Sequence, residues 1–328
     1  MAGRTLGRRW CSSAARAAGI APPIQVKLTE TAGRGVFASR KIGAGDVILT
    51  EFPVISQPSP TNMGKVCWWC LKRFSLITKP FLQLESSWMA YCSQECTDLA
   101  KGCMDLENNR HWKEFHDYCR ESNLRFPLLV KRLACMVATN MASFDVLDIL
   151  YPPSPPGFLQ RWLEERKLLT ETLTRCGIDS ASTKCILFLR FFPSKRVRFS
   201  FDRLEVLSDS WYAGALSRIH LNTFRVETIA TEITNLEAAL VDSITGDDVV
   251  GSAVYILPSM FNHSCDANVN IYWRENAFAQ LKALQPIEPG KELCITYIDA
   301  SMGCEARRAL LQDAYGFHCK CPRCLDND

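Results

Sequence analysis

Asn262-His263-Ser264-Cys265-Asp266-Ala267-Asn268 offers amide, imidazole, hydroxyl and thiol groups side by side, with almost nothing for a core. It reads as a loop that binds rather than packs. Short apolar runs typical of strands surround it, at 249–250, 269–273 and 278–284. Further on, Glu292-Leu293-Cys294-Ile295-Thr296-Tyr297 reads as a strand ending in tyrosine. A helical pattern over 305–315 then leads into Tyr315-Gly316-Phe317-His318-Cys319-Lys320-Cys321-Pro322-Arg323-Cys324. Cys319, Cys321 and Cys324 supply three thiolates, whereas zinc takes four ligands in a tetrahedron. Cys265 is the best fourth, because a metal there would tie the tail across the Asn-His-Ser-Cys loop; Cys304 and His318 are the alternatives.

Towards the amino terminus the pattern is again β, with apolar–polar alternation over 24–28 and short runs at 47–49 and 53–55. Residues 61–119 hold a second Cys/His group, with Cys67, Cys70, Cys92 and Cys96 closely spaced. Helical spacing follows over 128–137 and 159–173, with prolines at 152, 153, 155 and 156 between, and another helix end at 235–240.

The chain has 328 residues, enough for about two domains. Hydrophobic residues are 47% and charged residues 22%, which excludes a disordered or fibrous chain. No run reaches the roughly 18 apolar residues that span a bilayer. The sixteen cysteines stand out. Without a secretory h-region in residues 1–23, their short spacings read as metal ligation before disulfides. Net charge is +3, but residues 1–29 hold five basic residues and no acid, so the remainder is at −2. No direct nucleic-acid binding is expected of such a body.

These strings together resemble the SET-domain family of protein-lysine methyltransferases, in its SET-plus-MYND-finger branch. Gly33-Arg34-Gly35-Val36-Phe37-Ala38, with Ile42, Gly45 and Ile48, resembles the family's first glycine-rich strand pair. Asn262-His263-Ser264-Cys265 resembles its central signature, Ile295-Thr296-Tyr297 its tyrosine strand, and the Cys-rich tail its post-SET zinc site. The resemblance covers the chain from about residue 23 to 328, apart from the helical middle. It implies a mainly β SET fold, with small twisted sheets around a pseudoknot, a helical insertion and cysteine-rich zinc modules. The implied segments are 23–60 and 246–300 for the SET core, 61–120 for the zinc module, 121–245 for the helical and intermediate region, and 301–328 for the tail.

The resemblance also implies transfer of a methyl group from S-adenosyl-L-methionine to a lysine of a protein or peptide, histones included, by a monomer. Gly33, Arg34, Gly35, Asn222, Asn262, His263, Tyr297 and Phe317 would meet the cofactor. Tyr297 would be the catalytic tyrosine, and Tyr315 would line the lysine channel. A hydrolase using Cys265 and His263 as nucleophile and base is disfavoured, because only Ser264 separates them and no third group is evident. The alternative from another class is a zinc-stabilised, catalytically weak adaptor. The incomplete finger and Ala267, where the family often has proline, speak for it; Asn262, His263 and Tyr297 speak for the enzyme.

The finger is half present. By resemblance, Cys67, Cys70, Cys92 and Cys96 are the first and third ligand pairs, which share one zinc in the interleaved pattern. The middle pair is missing, since 71–91 contain neither Cys nor His. Trp112, His116 and Cys119 resemble remnants of the second site, and nothing in the spacing of Cys103 and His111 requires them to replace the lost ligands. The expectation is about two zinc ions in all, and a weaker docking surface for partner peptides.

Residues 1–22 are rich in Arg, Ala and Ser and lack acid, the composition of a transit peptide. Arg9-Trp10-Cys11-Ser12-Ser13 resembles a mitochondrial processing site. The expected address is a mitochondrion or plastid, ahead of the nucleus that the resemblance implies, and then the cytoplasm. A fusion of residues 1–30 to a fluorescent protein should enter an organelle; diffuse fluorescence would end the transit-peptide reading.

Overall fold

The computed structural model describes residues 21–29, 32–74, 79–84, 88–150, 159–178, 208–228 and 249–328. The leader, apart from its last two residues, and the helix end expected at 235–240 lie outside them. In chain order the strands are β1 (Ile24–Leu28), β2 (Arg34–Ala38), β3 (Val47–Glu51), β4 (Ile55–Pro58), β5 (Leu82–Gln83), β6 (Ala90–Tyr91), β7 (Thr223–Glu227), β8 (Val249–Val254), β9 (Asn262–His263), β10 (Val269–Trp273), β11 (Ala279–Ala283) and β12 (Glu292–Ile295). The chain forms two compact units. One draws on the described residues within 1–54, 224–249 and 253–328; the other draws on the described residues within 55–223 and 250–252.

In the first unit, β1, β2, β12 and β9 form a four-stranded sheet in that order. β2 pairs antiparallel with β1 and with β12, while β12 pairs parallel with β9, setting Cys294 opposite Asn262 and Ile295 opposite His263. A second antiparallel sheet has the order β10-β11-β3. Val36, Ile42, Ile48, Phe261, Leu281, Leu293 and Ile295 are fully or almost fully buried in one core. Each such side chain contributes roughly 1.5–3 kcal/mol by leaving water. This core explains why the apolar runs at 269–273 and within 278–284 form strands, since Val269 and Ile271 of β10 and Leu281 and Ala283 of β11 alternate towards it, whereas β3 brings the adjacent Ile48 and Leu49 to it.

Gly35 stands where β2 is crossed by other side chains. A Cβ there would lie 2.4 Å from Glu292 Oε1 and 3.0 Å from Asn262 Nδ2, so any side chain at this position would push the Glu292 carboxylate from its place beside Asn262.

The second unit contains β5 and β6, an antiparallel pair, and helices Gln94–Glu107, Trp112–Glu121, Phe126–Ala138, Leu159–Arg175 and Asp209–Asn222. The first helix begins at Ser93, whose hydroxyl accepts from Cys96 N–H as an N-cap. Phe126–Ala138 is buried nearly all round, as its apolar composition requires. With these helices and Cys304–Tyr315 of the first unit, helical residues outnumber strand residues among those described. The fold is therefore α+β with small sheets rather than mainly β. The excess lies in helices whose amphipathic faces are covered within the second unit. No helix among the described residues is long and apolar enough to cross a membrane.

Glu51 ends β3 and secures the approach to the Asn-His-Ser-Cys loop. Its carboxylate accepts from Ile256 N–H at 3.1 Å and Leu257 N–H at 3.3 Å. Burial pushes its pKa up to about 7 from 4.5, against the pull of those two N–H groups. A carboxyl raised in the folded state contributes most stability below about pH 4.5, and that contribution is lost as pH rises to 7. Glu51→Gln should therefore gain stability relative to the parent across this window. Denaturant midpoints at pH 4.5 and 7.5 test this: an unchanged difference between the two proteins would show that Glu51 does not titrate there.

Candidate functional site

Parallel pairing with β12 holds Asn262 and His263 beside the tyrosine segment. Asn262 Nδ2 donates to Glu292 Oε1 at 2.7 Å and to the Arg34 carbonyl at 3.2 Å. Arg34 and Gly35 are thus neighbours of Asn262, while Gly33 lies one residue earlier at φ +70°, with no atom within 4 Å of a Cβ placed there. Asn268 Nδ2 donates to the Glu292 carbonyl at 2.8 Å, and its Oδ1 accepts from Cys294 N–H at 2.9 Å. Asn268 and Glu292 are residues that the sequence reading did not single out. Both lie in motif strings, Asn268 in the Asn-His-Ser-Cys loop and Glu292 at the start of the tyrosine strand, but nothing local marks either as a partner of the other segment.

β12 ends at Ile295, so Tyr297 sits in the turn beyond the strand rather than on it. Leaving the strand frees its phenol to point inward, where Oη donates to the Phe261 carbonyl at 2.6 Å. Burial pushes this phenol above its ordinary pKa, with Tyr315 adding to the effect. It is a protonated donor, not a base. The Tyr297 ring lies 4.9 Å from that of Tyr315 and 5.3 Å from that of His263, with Phe317 6.1 Å from His263. Helix Cys304–Tyr315 delivers Tyr315, and Gly316 ends it in the left-handed conformation (φ +75°), which turns the chain towards Phe317.

His263 accepts from Tyr297 N–H through Nδ1 at 3.1 Å, and its Nε2 faces Cys265 Sγ at 3.3 Å. Burial pushes its pKa down to about 4, with the Arg307 cation adding to the effect, so the ring is neutral. Cys265 and His263 do touch, contrary to the placement argument against a hydrolase. What removes the thiol from nucleophilic duty is its membership of a four-sulfur set.

That set is Cys265, Cys319, Cys321 and Cys324, whose sulfurs lie within 4.8 Å of one another. Cys265 Sγ is 3.6 Å from Cys324 Sγ and 4.0 Å from Cys319 Sγ. A tetrahedron with zinc–sulfur bonds of about 2.3 Å has edges of about 3.8 Å, so the residues present fit zinc. Of the other ligand candidates, Cys304 points its thiol at the Cys324 carbonyl and His318 is exposed. Buried Arg307 donates from Nε to Cys265 Sγ at 3.3 Å and from Nη2 to Cys324 Sγ at 3.8 Å. A zinc ion with four thiolates carries two negative charges, and this cation offsets part of them.

In the second unit Cys67, Cys70, Cys92 and Cys96 form the other four-sulfur set, with Cys92 Sγ 3.5 Å from Cys70 Sγ and 3.6 Å from Cys96 Sγ. This set also fits zinc. Among the described residues, Cys103, His111, His116 and Cys119 make no such group. An internal ion pair stands near them instead. Lys131 Nζ lies 3.5 Å from Glu107 Oε1, both almost wholly buried, and over the rings of Trp112 (4.9 Å), Trp68 (5.7 Å) and Trp88 (5.8 Å). Glu107 also accepts from Trp68 Nε1 at 3.1 Å and from Cys103 Sγ at 3.6 Å. Burial favours the neutral forms of Cys119, pushed up to about 12, and of His116, pushed down to about 3 with help from the Lys131 ammonium. Asn222, also in this unit, ends helix Asp209–Asn222 and donates to the Arg218 carbonyl at 2.8 Å.

A SET domain matches the chain over residues 33–298. The chain belongs to the SET-domain family. It is 41% identical over 311 residues to the histone-lysine N-methyltransferase ATXR4 of Arabidopsis thaliana, covering 94% of this chain and 87% of that one. A SET and MYND domain-containing protein of Dictyostelium discoideum is 26% identical over 304 residues, covering 88% and 79%. The histone-lysine N-methyltransferase SMYD3 of Mus musculus is 43% identical over 79 residues, covering 24% and 18%.

Metal analysis of the purified protein should find about two zinc ions per chain. Cys321→Ser should remove one of them. A count of three would mean that Cys103, His111, His116 and Cys119 build a further site despite the Lys131–Glu107 pair.

Proposed function

We propose that this chain is a protein-lysine N-methyltransferase of the histone-lysine type, using S-adenosyl-L-methionine. The observation that carries the reading is the Tyr297 phenol, held on the Phe261 carbonyl inside a group of rings from Tyr315, Phe317 and His263. The activity named for the Arabidopsis relative supports it, since that likeness extends over nearly the whole chain.

Half-buried Phe317 and His263 rings and the bare backbone at Gly33 fit a cofactor with an aromatic base and a sulfonium. Arg34, Gly35, Asn262, His263 and Phe317 would hold it, and when bound it supplies an electrophilic methyl group. The chain's own residues must then prepare the amine. A lysine with pKa about 10.4 is neutral in only about one molecule in two thousand at pH 7. The rings of Tyr297 and Tyr315 form an apolar surround that disfavours the ammonium. The Tyr297 oxygen and the Phe261 carbonyl, fixed to each other, present oxygens that can align a polarised methyl through C–H···O contacts. Little acid–base work remains, so positioning carries the rate. The substrate class is a protein lysine, histones included. The composition of residues 1–22 supports an organelle as its address.

Tyr297→Phe should lower transfer of radiolabelled methyl groups into protein of a cell extract by about 10-fold or more, because the phenol acts on the transition state. Cofactor affinity by calorimetry should stay within a few-fold. Full transfer by the variant would overturn the role of Tyr297. Cofactor binding with no transfer by the parent would favour the adaptor.

A further inference from the structure

The His263 ring is used on both sides. Tyr297 N–H can only donate, so Nδ1, 3.1 Å away, accepts and carries no proton. With Nδ1 bare, the proton the ring retains is on Nε2, which faces Cys265 Sγ at 3.3 Å. A sulfur bound to zinc is a thiolate and accepts such a bond. The next residue repeats the connection through the backbone, since Ser264 N–H donates to the Ile295 carbonyl at 3.0 Å. Two residues beyond Ile295 stands Tyr297, whose phenol reaches Phe261, just before Asn262. Sulfur, imidazole, Tyr297 amide and Tyr297 phenol thus form a closed set of contacts around β9.

We propose that His263 is a positioning residue through which the metal-bound tail orients Tyr297: its Nε2–H is held by the Cys265 thiolate, and its Nδ1 in turn holds the Tyr297 backbone. The tail zinc then does more than staple the last residues. It sets the tautomer and tilt of the ring that fixes the catalytic tyrosine, and loss of the metal reaches Tyr297 without unfolding the core. This inference rests on the proposed role of Tyr297, but the contacts it invokes can be measured without turnover.

Two substitutions separate the two sides of the ring. His263→Asn places an amide oxygen where Nδ1 stood and has nothing to reach the sulfur. His263→Gln extends an amide N–H towards the sulfur and leaves Tyr297 N–H without its acceptor. Zinc release to a chromogenic chelator and exchange of the Tyr297 amide in [15N]tyrosine-labelled protein are the readouts. His263→Asn should weaken one of two zinc ions by roughly 10–100-fold, with Tyr297 exchange near the parent's while zinc is bound. His263→Gln should keep zinc within about threefold and speed Tyr297 exchange by about 5–10-fold, the worth of one hydrogen bond. In the parent, stripping the tail zinc should speed the same exchange. The proposal is overturned if stripping leaves Tyr297 exchange unchanged, or if the two variants fail to show this crossed pattern. Absence of methyl transfer with the crossed pattern intact would count against the proposed function alone.

Discussion

The parallel pairing of β9 with β12 is the constraint on which the site depends. Two strands far apart in the chain are brought into register, Asn262 against Cys294 and His263 against Ile295. Parallel neighbours cannot be joined by a tight turn, so the chain between them must travel out and back. It does so through β10 and β11, which build the second sheet. Once the register is set, the remaining contacts follow at short range. Asn262 reaches Arg34 and Glu292, His263 reaches Tyr297 and Cys265, and the Tyr297 phenol closes on Phe261. A slip by one residue would turn His263 from the tyrosine to the opposite face, because side chains alternate along a strand.

The carboxyl-terminal tail is bound to this arrangement by chemistry rather than by area. Its cysteines meet Cys265, and a buried arginine, Arg307, donates to two of the four sulfurs. A dianionic metal–thiolate group would be poorly tolerated among apolar residues without such a cation and such donors. Arg323 adds Nη1 bonds to the Cys265 and Ala300 carbonyls, joining the tail to the turn that follows Tyr297.

Beside the Cys67, Cys70, Cys92 and Cys96 set, the interior is filled by a charge pair and aromatic rings. Lys131 and Glu107 are both buried, and neither would be stable there alone. Together with Trp68, Trp88 and Trp112 they fill the interior with a paired charge under aromatic rings. Burial by itself would raise the Glu107 carboxyl, but Arg132 and Lys131 more than offset it and hold it ionised. Arg132 also donates to the Trp68 carbonyl at 2.6 Å, which ties helix Phe126–Ala138 to the segment that begins the four-sulfur set.

Much of this was legible in the sequence. The β1 alternation, the strands at 269–273 and 279–283, the helix ending at Tyr315 and both cysteine sets depend on local periodicity or on short ligand spacing, and such patterns survive in one dimension. Spacing favours Cys265 over Cys304 and His318 as the fourth ligand but does not say which of these groups faces the tail cysteines. Tertiary structure decided what involves two distant segments. It placed Tyr297 past the end of β12 and brought Glu292 across Gly35 to Asn262. It also put Arg307 among the sulfurs, Glu51 beneath Ile256 and Leu257, and Lys131 among the tryptophans. An arginine or glutamate carries no mark of its partner in its neighbours along the chain. Burial and hydrogen bonding give it a role only after the strands that supply the partner have paired.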